Sequence, residues 1–114
     1  MVEKIVLGFL DAHLSVPCMM EVPEPPTPQS YVLIEKTGSS VKNRVPSANI
    51  AIQSCAATLL DAANLNESVK EAMPGLLADS RIAACKLDTD YNFTDSSTKT
   101  YRYQAIYRIT YMEV

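Results

Sequence analysis

The sequence predicts an α+β domain: a mostly antiparallel sheet of about four to five strands, ending in a long C-terminal β-hairpin, with two helices packed on one face. Three observations carry this. The last third of the chain alternates apolar and polar residues with period two. Two earlier stretches repeat apolar residues at helical spacing, and prolines and glycines punctuate the boundaries between segments.

In the first helix, Val2, Ile5, Val6, Phe9 and Leu10 fall at i, i+3, i+4, i+7 and i+8, while Glu3, Lys4 and Asp11 lie off that stripe. This predicts about a dozen helical residues, with Leu14 extending the stripe. Gly8 weakens it by roughly 1 kcal/mol against alanine, so the helix depends on tertiary packing. Pro17 closes the segment, and the alternation of Val16, Cys18, Met20 and Val22 predicts a short strand ending at Pro23. Pro23 to Gln29 holds four prolines in seven residues. It can donate few ladder hydrogen bonds and reads as an extended surface spacer, in preference to a polyproline ligand.

Tyr31 to Thr37 predicts a strand, apolar over its first four residues and therefore central, broken by Gly38. Ser39 to Pro46 reads as a loop with two cations, Lys42 and Arg44. Ala48 to Cys55 predicts the next strand, Ile50 and Ile52 on one face and Ala51 and Gln53 on the other. Thr58 is the predicted N-cap of the second helix, with Asp61 at N3. Ala62, Leu65, Val69, Ala72 and Met73 form its stripe, and Leu76 continues it beyond the break at Pro74-Gly75. A strand from Arg81 to Lys86 runs into the final hairpin.

In the first arm of that hairpin, Leu87, Thr89, Tyr91 and Phe93 alternate with Lys86, Asp88, Asp90 and Asn92. In the second, Tyr101, Tyr103, Ala105, Tyr107, Ile109 and Tyr111 alternate with Arg102, Gln104, Ile106, Arg108 and Thr110. Asp95 to Thr98 is turn chemistry. Placing both apolar sets on one face requires paired residue numbers with an even sum and an odd loop centred near Ser97. Phe93 is then expected opposite Tyr101, Tyr91 opposite Tyr103 and Leu87 opposite Tyr107.

With 114 residues the chain predicts one domain, and 47% hydrophobic with 20% charged residues argues against disorder. No apolar run approaches the roughly 18–20 residues of a membrane span. Glu3 and Asp11 flank the N-terminal stretch without a small-residue cleavage site, so no secretory signal is expected. A net charge of −3 offers no general drive towards nucleic acid or anionic lipid. Cys18, Cys55 and Cys85 are odd in number and lack Cys-x-x-Cys spacing, which favours reduced, mostly buried thiols of a cytosolic chain over a disulfide or metal framework.

His13, the single histidine, lies on the polar side of the first helix near Cys18, but no third group to orient a Cys–His pair is evident, which favours a surface histidine. Asp88, Asp90 and Asp95 lack a Gly-centred cation loop and read as a solvated strand face. Gly8, Gly38 and Gly75 are too isolated to cradle phosphate. Stacking of nucleic-acid bases on the tyrosines is disfavoured because parity sets the rings and the guanidinia of Arg102 and Arg108 on opposite faces. No catalytic residue, cofactor or metal is therefore expected. Abundant tyrosine suits protein–protein contact instead, as in an assembly or adaptor protein.

Several segments in order carry a resemblance. They are Glu21-Val22-Pro23 before the proline-rich gap, Tyr31 to Gly38, Ala51-Ile52-Gln53-Ser54, Ala62 to Glu67, Val69 to Met73, and Leu87 to Asp95 followed by Tyr101 to Ala105. Together they resemble small tail-component proteins encoded by prophages of Gram-positive bacteria, and are similar to the tail-terminator, or tail-to-head joining (tail completion), proteins of long-tailed bacteriophages. The resemblance spans nearly the whole chain and includes no catalytic motif. It implies a non-enzymatic virion protein that caps the tail tube, ends its polymerisation and meets the head connector. It also implies assembly into a ring, typically a hexamer, through which DNA passes without sequence-specific binding; the acidic balance is compatible with such a channel. The expected locations are the bacterial host cytoplasm during assembly and then the tail–head junction of the virion.

A ring of heterologous contacts needs complementary patches on opposite sides of the subunit. The expected contact residues are Ser39, Ser40, Lys42, Asn43 and Arg44 in the first loop, with Asp95, Ser96, Ser97 and Lys99 at the hairpin tip. Both groups are polar or charged and lie outside the core pattern. The alternatives are a head-completion or neck protein, another minor tail component, a small cytosolic enzyme or ligand-binding domain, and an adaptor using Pro23 to Gln29.

Overall fold

The computed structural model describes residues 1–98 and 100–112. Helix α1 (Val2–His13) leads to a two-residue edge strand, β1 (Cys18–Met19), then to strands β2 (Tyr31–Lys42) and β3 (Val45–Ala56). Helix α2 (Leu59–Ala72) and a short 3-10 helix (Met73–Ala78) follow, and the hairpin of β4 (Ile82–Asn92) and β5 (Tyr101–Tyr111) completes the domain. The sheet order is β1-β2-β3-β5-β4; β1 is parallel to β2 and every other pairing is antiparallel. This is the α+β architecture that the periodicities predict.

Both helices pack on one face of the sheet. Val2, Val6 and Leu10 of α1 and Val69, Met73 and Leu76 from the second helical segment meet Val32, Ile34, Ile50, Ile52, Ala105 and Ile109. Fully burying a side chain of this size contributes about 1.5–3 kcal/mol before entropy is counted. The Thr58 hydroxyl accepts the Asp61 N–H at 3.1 Å, which satisfies one of the free donors at the start of α2. Pro74 ends the α-helical hydrogen bonding, and the 3-10 helix turns Leu76 into the core. Gly75 lies against α1, where an added Cβ would come within 3.1 Å of Phe9 Cζ.

Three expectations need correction. First, the strand from Val16 to Val22 shrinks to Cys18–Met19, and both Met20 and Val22 are exposed. Second, Gly38 does not break β2. A register shift between Lys36 and Gly38 absorbs Thr37, and pairing then resumes from Gly38 opposite Asn49 to Lys42 opposite Val45. The expected Ser39–Arg44 loop is therefore strand as far as Lys42, closed by a two-residue turn. Asn43 and Arg44 have φ of 53° and 65°, the left-handed pair whose twist matches the flanking strands.

Third, the last hairpin changes register partway along. Leu87 is opposite Tyr107 as expected, but a bulge at Asp88 sets Thr89 opposite Ile106, Tyr91 opposite Gln104 and Asn92 opposite Tyr103. Asp95 bridges Thr100, again an odd sum. Beyond the bulge, Tyr91 and Phe93 therefore share the helix-free face with Arg102 and Gln104, while Asp90 and Asn92 turn towards α2. The tyrosines of β5 keep the predicted parity on the helix side, and Tyr107 and Tyr111 are buried there.

The molecule measures 43 × 25 × 25 Å. Twelve residues of β3 at about 3.3 Å each span about 40 Å, so the strands run its length. Among the described residues, no helix is long and apolar enough to cross a membrane.

Candidate interaction surfaces

The antiparallel ladder fixes where the expected contact residues sit. At one end is the Asn43-Arg44 turn, and the pairing of Ser47 with Thr110 brings the end of β5 beside it. Lys42, Asn43 and Arg44 are exposed here, as are Val41 (71%), Val45 and Met112 (58%). A shallow depression of about 390 Å³ is lined by Val41, Arg44, Val45, Pro46, Tyr111 and Met112. Ser40 is tied into the sheet: its hydroxyl lies 3.2 Å from that of Ser47, which also accepts from the Arg108 guanidinium at 3.1 Å. Ser39 stands opposite Ala48, on the parity of the helix side.

At the other end, Ala56 of β3 pairs with Tyr101, so the start of α2 and the β4–β5 tip both lie at this end of the sheet. The Asp95 carboxylate accepts the Ser97 N–H at 3.1 Å and the Ser97 hydroxyl at 2.6 Å. These bonds, Ser97 foremost and Thr98 next, hold its carboxyl below the usual carboxylate range. Ser96 and Ser97 are exposed. Lys99, also an expected contact, lies outside the described residues. Leu59 and Leu60 (70%) are exposed on the first turn of α2, next to exposed Asp61.

The described members of the two groups of expected contact residues are thus held at opposite ends of one sheet and do not converge. Between them runs the helix-free face. The Gln53 amide donates to Gln104 at 2.9 Å, and Gln104 donates in turn to the Tyr91 hydroxyl, linking β3, β5 and β4. The Arg102 guanidinium sits 4.9 Å from the centroid of Phe93, and Tyr91 meets Phe93 edge-on at 5.9 Å. Rings and guanidinia therefore share a face at this hairpin, contrary to the parity expectation, because the Asp88 bulge turned the rings over.

The bulge also explains what sequence reasoning missed. Asp90 does not belong to a solvated face with Asp88. It accepts from Asn66 at 2.9 Å and pairs with Lys70 at 2.9 Å, while Lys70 also reaches Glu67 at 3.0 Å. Lys70 first, with help from Asn66, holds the Asp90 carboxyl down; Asp90 first and then Glu67 push the Lys70 ammonium up. Asn66 is 1% exposed. The available signal was its spacing: Ala62, Asn66, Val69 and Met73 form one helical stripe, so an amide stands where an apolar residue was expected.

The groups weighed for catalysis are engaged locally. His13 Nδ1 bonds the Phe9 carbonyl at 2.7 Å, and its ring stacks on Phe9. The Cys18 thiol faces the Val16 carbonyl, and burial together with Asp11 pushes it up to about 11. A groove of about 530 Å³ beside α1 is lined by Lys4, Ile5, Phe9, Asp79 and Arg81 among others. Its carboxylate, Asp79, is committed to Arg81 through bonds of 2.7 and 3.0 Å and is held down to about 2. Among the described residues, no group of three or more His, Cys, Asp or Glu could hold a metal ion.

The fold and these surfaces define a two-layer α+β module with exposed polar residues at both ends of its sheet. No family model matches the chain, and no curated protein matches it.

Proposed function

We propose that this chain is a structural virion protein that caps a phage tail tube, ends its polymerisation and forms the interface to the head connector. It works as a ring of identical copies around the DNA path, and no side chain turns over a substrate. The observation that carries the reading is the separation of the two contact groups: Lys42-Asn43-Arg44 and Asp95-Ser96-Ser97 stand at opposite ends of one sheet. A closed ring of heterologous contacts requires this disposition, because each copy must be gripped on two different sides. The order of segments that resembles the tail-terminator proteins gives the role its specificity.

Electron microscopy of particles assembled without this protein tests the reading. Overlong or headless tails are expected, with normal length restored when the protein is supplied. Empty or leaking heads beside normal separate tails would assign it to head completion instead. A second test is narrower: replacing Lys42 and Arg44 by glutamate is expected to leave the melting temperature nearly unchanged and to block capping.

A further inference from the structure

Local pattern and tertiary contact make different demands on the last hairpin. Leu87, Thr89, Tyr91 and Phe93 alternate without a break, and so do the tyrosines of β5. Continued in step from Leu87 opposite Tyr107, the two patterns set Tyr91 opposite Tyr103 and Phe93 opposite Tyr101, all on the helix side. The fold departs from this at one residue. The bulge at Asp88 turns Tyr91 and Phe93 onto the helix-free face, where both rings remain exposed, and turns Asp90 towards α2. There Asp90 meets Lys70 and Asn66, each at 2.9 Å and both on α2. One arm thus has two registers, each favoured by a different set of contacts.

We propose that the distal part of this hairpin is a two-register switch and that α2 is its latch. In the latched register Lys70 and Asn66 hold Asp90, and the rings of Tyr91 and Phe93 face away from the helices. In the released register the bulge residue passes into the β4–β5 connection, Leu87 stays opposite Tyr107, and every pair beyond it moves by one. Tyr91 and Phe93 then join Tyr103 and Tyr101, while Asp90 and Asn92 turn to the open face and water. Release gives up the Asp90 bonds, the Tyr91–Gln104 bond and the contact of Arg102 with Phe93. In exchange it removes the bulge and sets two exposed rings beside two others. Strand β5 keeps its place beside β3, so only the distal arm of β4 slides. By linkage, a partner that grips the rings where they now stand strengthens the latch, and one that takes up Lys70 opens it.

Disulfide trapping in the full chain reads the two registers separately. The pair Asn92→Cys/Tyr103→Cys is directly opposed in the latched register. The pair Asn92→Cys/Arg102→Cys is opposed only in the released one, because Asn92 and Arg102 now lie on opposite faces of the sheet. Cys18, Cys55 and Cys85 are buried or half-buried and compete poorly. Under oxidised glutathione the first pair is expected to close roughly tenfold faster than the second. Adding Lys70→Met is expected to reverse that order, because Asp90 loses its cation. Adding Asp90→Leu as well is expected to restore it, because leucine belongs on the helix side. Circular dichroism verifies that each chain is folded. Should Lys70→Met fail to fold, the latch-intact chain still decides: its slower pair is expected to close in time, giving a product with native circular dichroism. Three results would each overturn the switch: an Asn92→Cys/Arg102→Cys pair that never closes, rates indifferent to Lys70→Met, and failure of Asp90→Leu to restore the first order.

Discussion

The two hairpins of the sheet reach their registers by different physics. The β2–β3 hairpin is closed by its own turn: Asn43 and Arg44 adopt the left-handed pair that fits strand twist, and the ladder follows from Val45 opposite Lys42. In the β4–β5 hairpin the decisive element lies outside. Asp90 reaches Lys70 and Asn66 on α2, and the Asp88 bulge is the adjustment that lets it do so. A register set by a turn is local; one set by a helix depends on the tertiary fold.

Four measurements break or sharpen that contrast. The largest effect is expected where the hairpins meet. Ile52, fully buried on central strand β3, should cost about 2–5 kcal/mol on replacement by alanine and bring both hairpins down in one urea transition. Next, Asn66→Ala removes a buried partner of Asp90 and should cost about 1–3 kcal/mol. Hydrogen exchange should then rise in β4 while β2 stays protected; equal loosening of both would erase the distinction.

Acid should reproduce that loosening more gently. The folded-state pKa of Asp90 lies below its usual 3.8, so its contribution is complete above that value and fades as pH falls towards the folded pKa. Lys70 is raised above 10.5, so its contribution is complete below that value and fades as pH rises through the folded pKa. An Asp90→Asn chain should show a flatter acid limb in thermal melts. The smallest effect belongs to the turn: Arg44→Gly removes the left-handed strain of a residue with a Cβ and should gain about 0.4–1 kcal/mol, part of the relief being offset by glycine's greater freedom when unfolded.

What the sequence made legible follows the same line. The stripe of α1, the Thr58 cap, the Pro74 stop and the parity of β5 are all local patterns, and each matches the fold. Ser39 to Lys42 reads as loop because two serines follow a glycine, whereas the turn that extends the strand lies beyond them. The alternation Leu87, Thr89, Tyr91, Phe93 is unbroken in the sequence, so nothing nearby marks the bulge. Its cause sits about twenty residues earlier, on the buried side of α2. Of the expected contact residues, Ser39, Ser40, Lys42, Asn43, Arg44, Ser96 and Ser97 are exposed and Asp95 is half-buried; Ser40 already spends its hydroxyl on Ser47.

The extra residue at Asp88 has a consequence at the level of the gene. Everything distal to it on that arm is read in a second frame of inside and outside, as though the strand had been turned over at a hinge. If the pairing of Leu87 with Tyr107 is kept, losing that one codon turns Tyr91 and Phe93 to the helices and Asp90 and Asn92 outward. A single in-frame deletion thus sets the pairing at Leu87 against the hold of Lys70 and Asn66 on Asp90, and hydrogen exchange in the distal arm reads which of the two prevails.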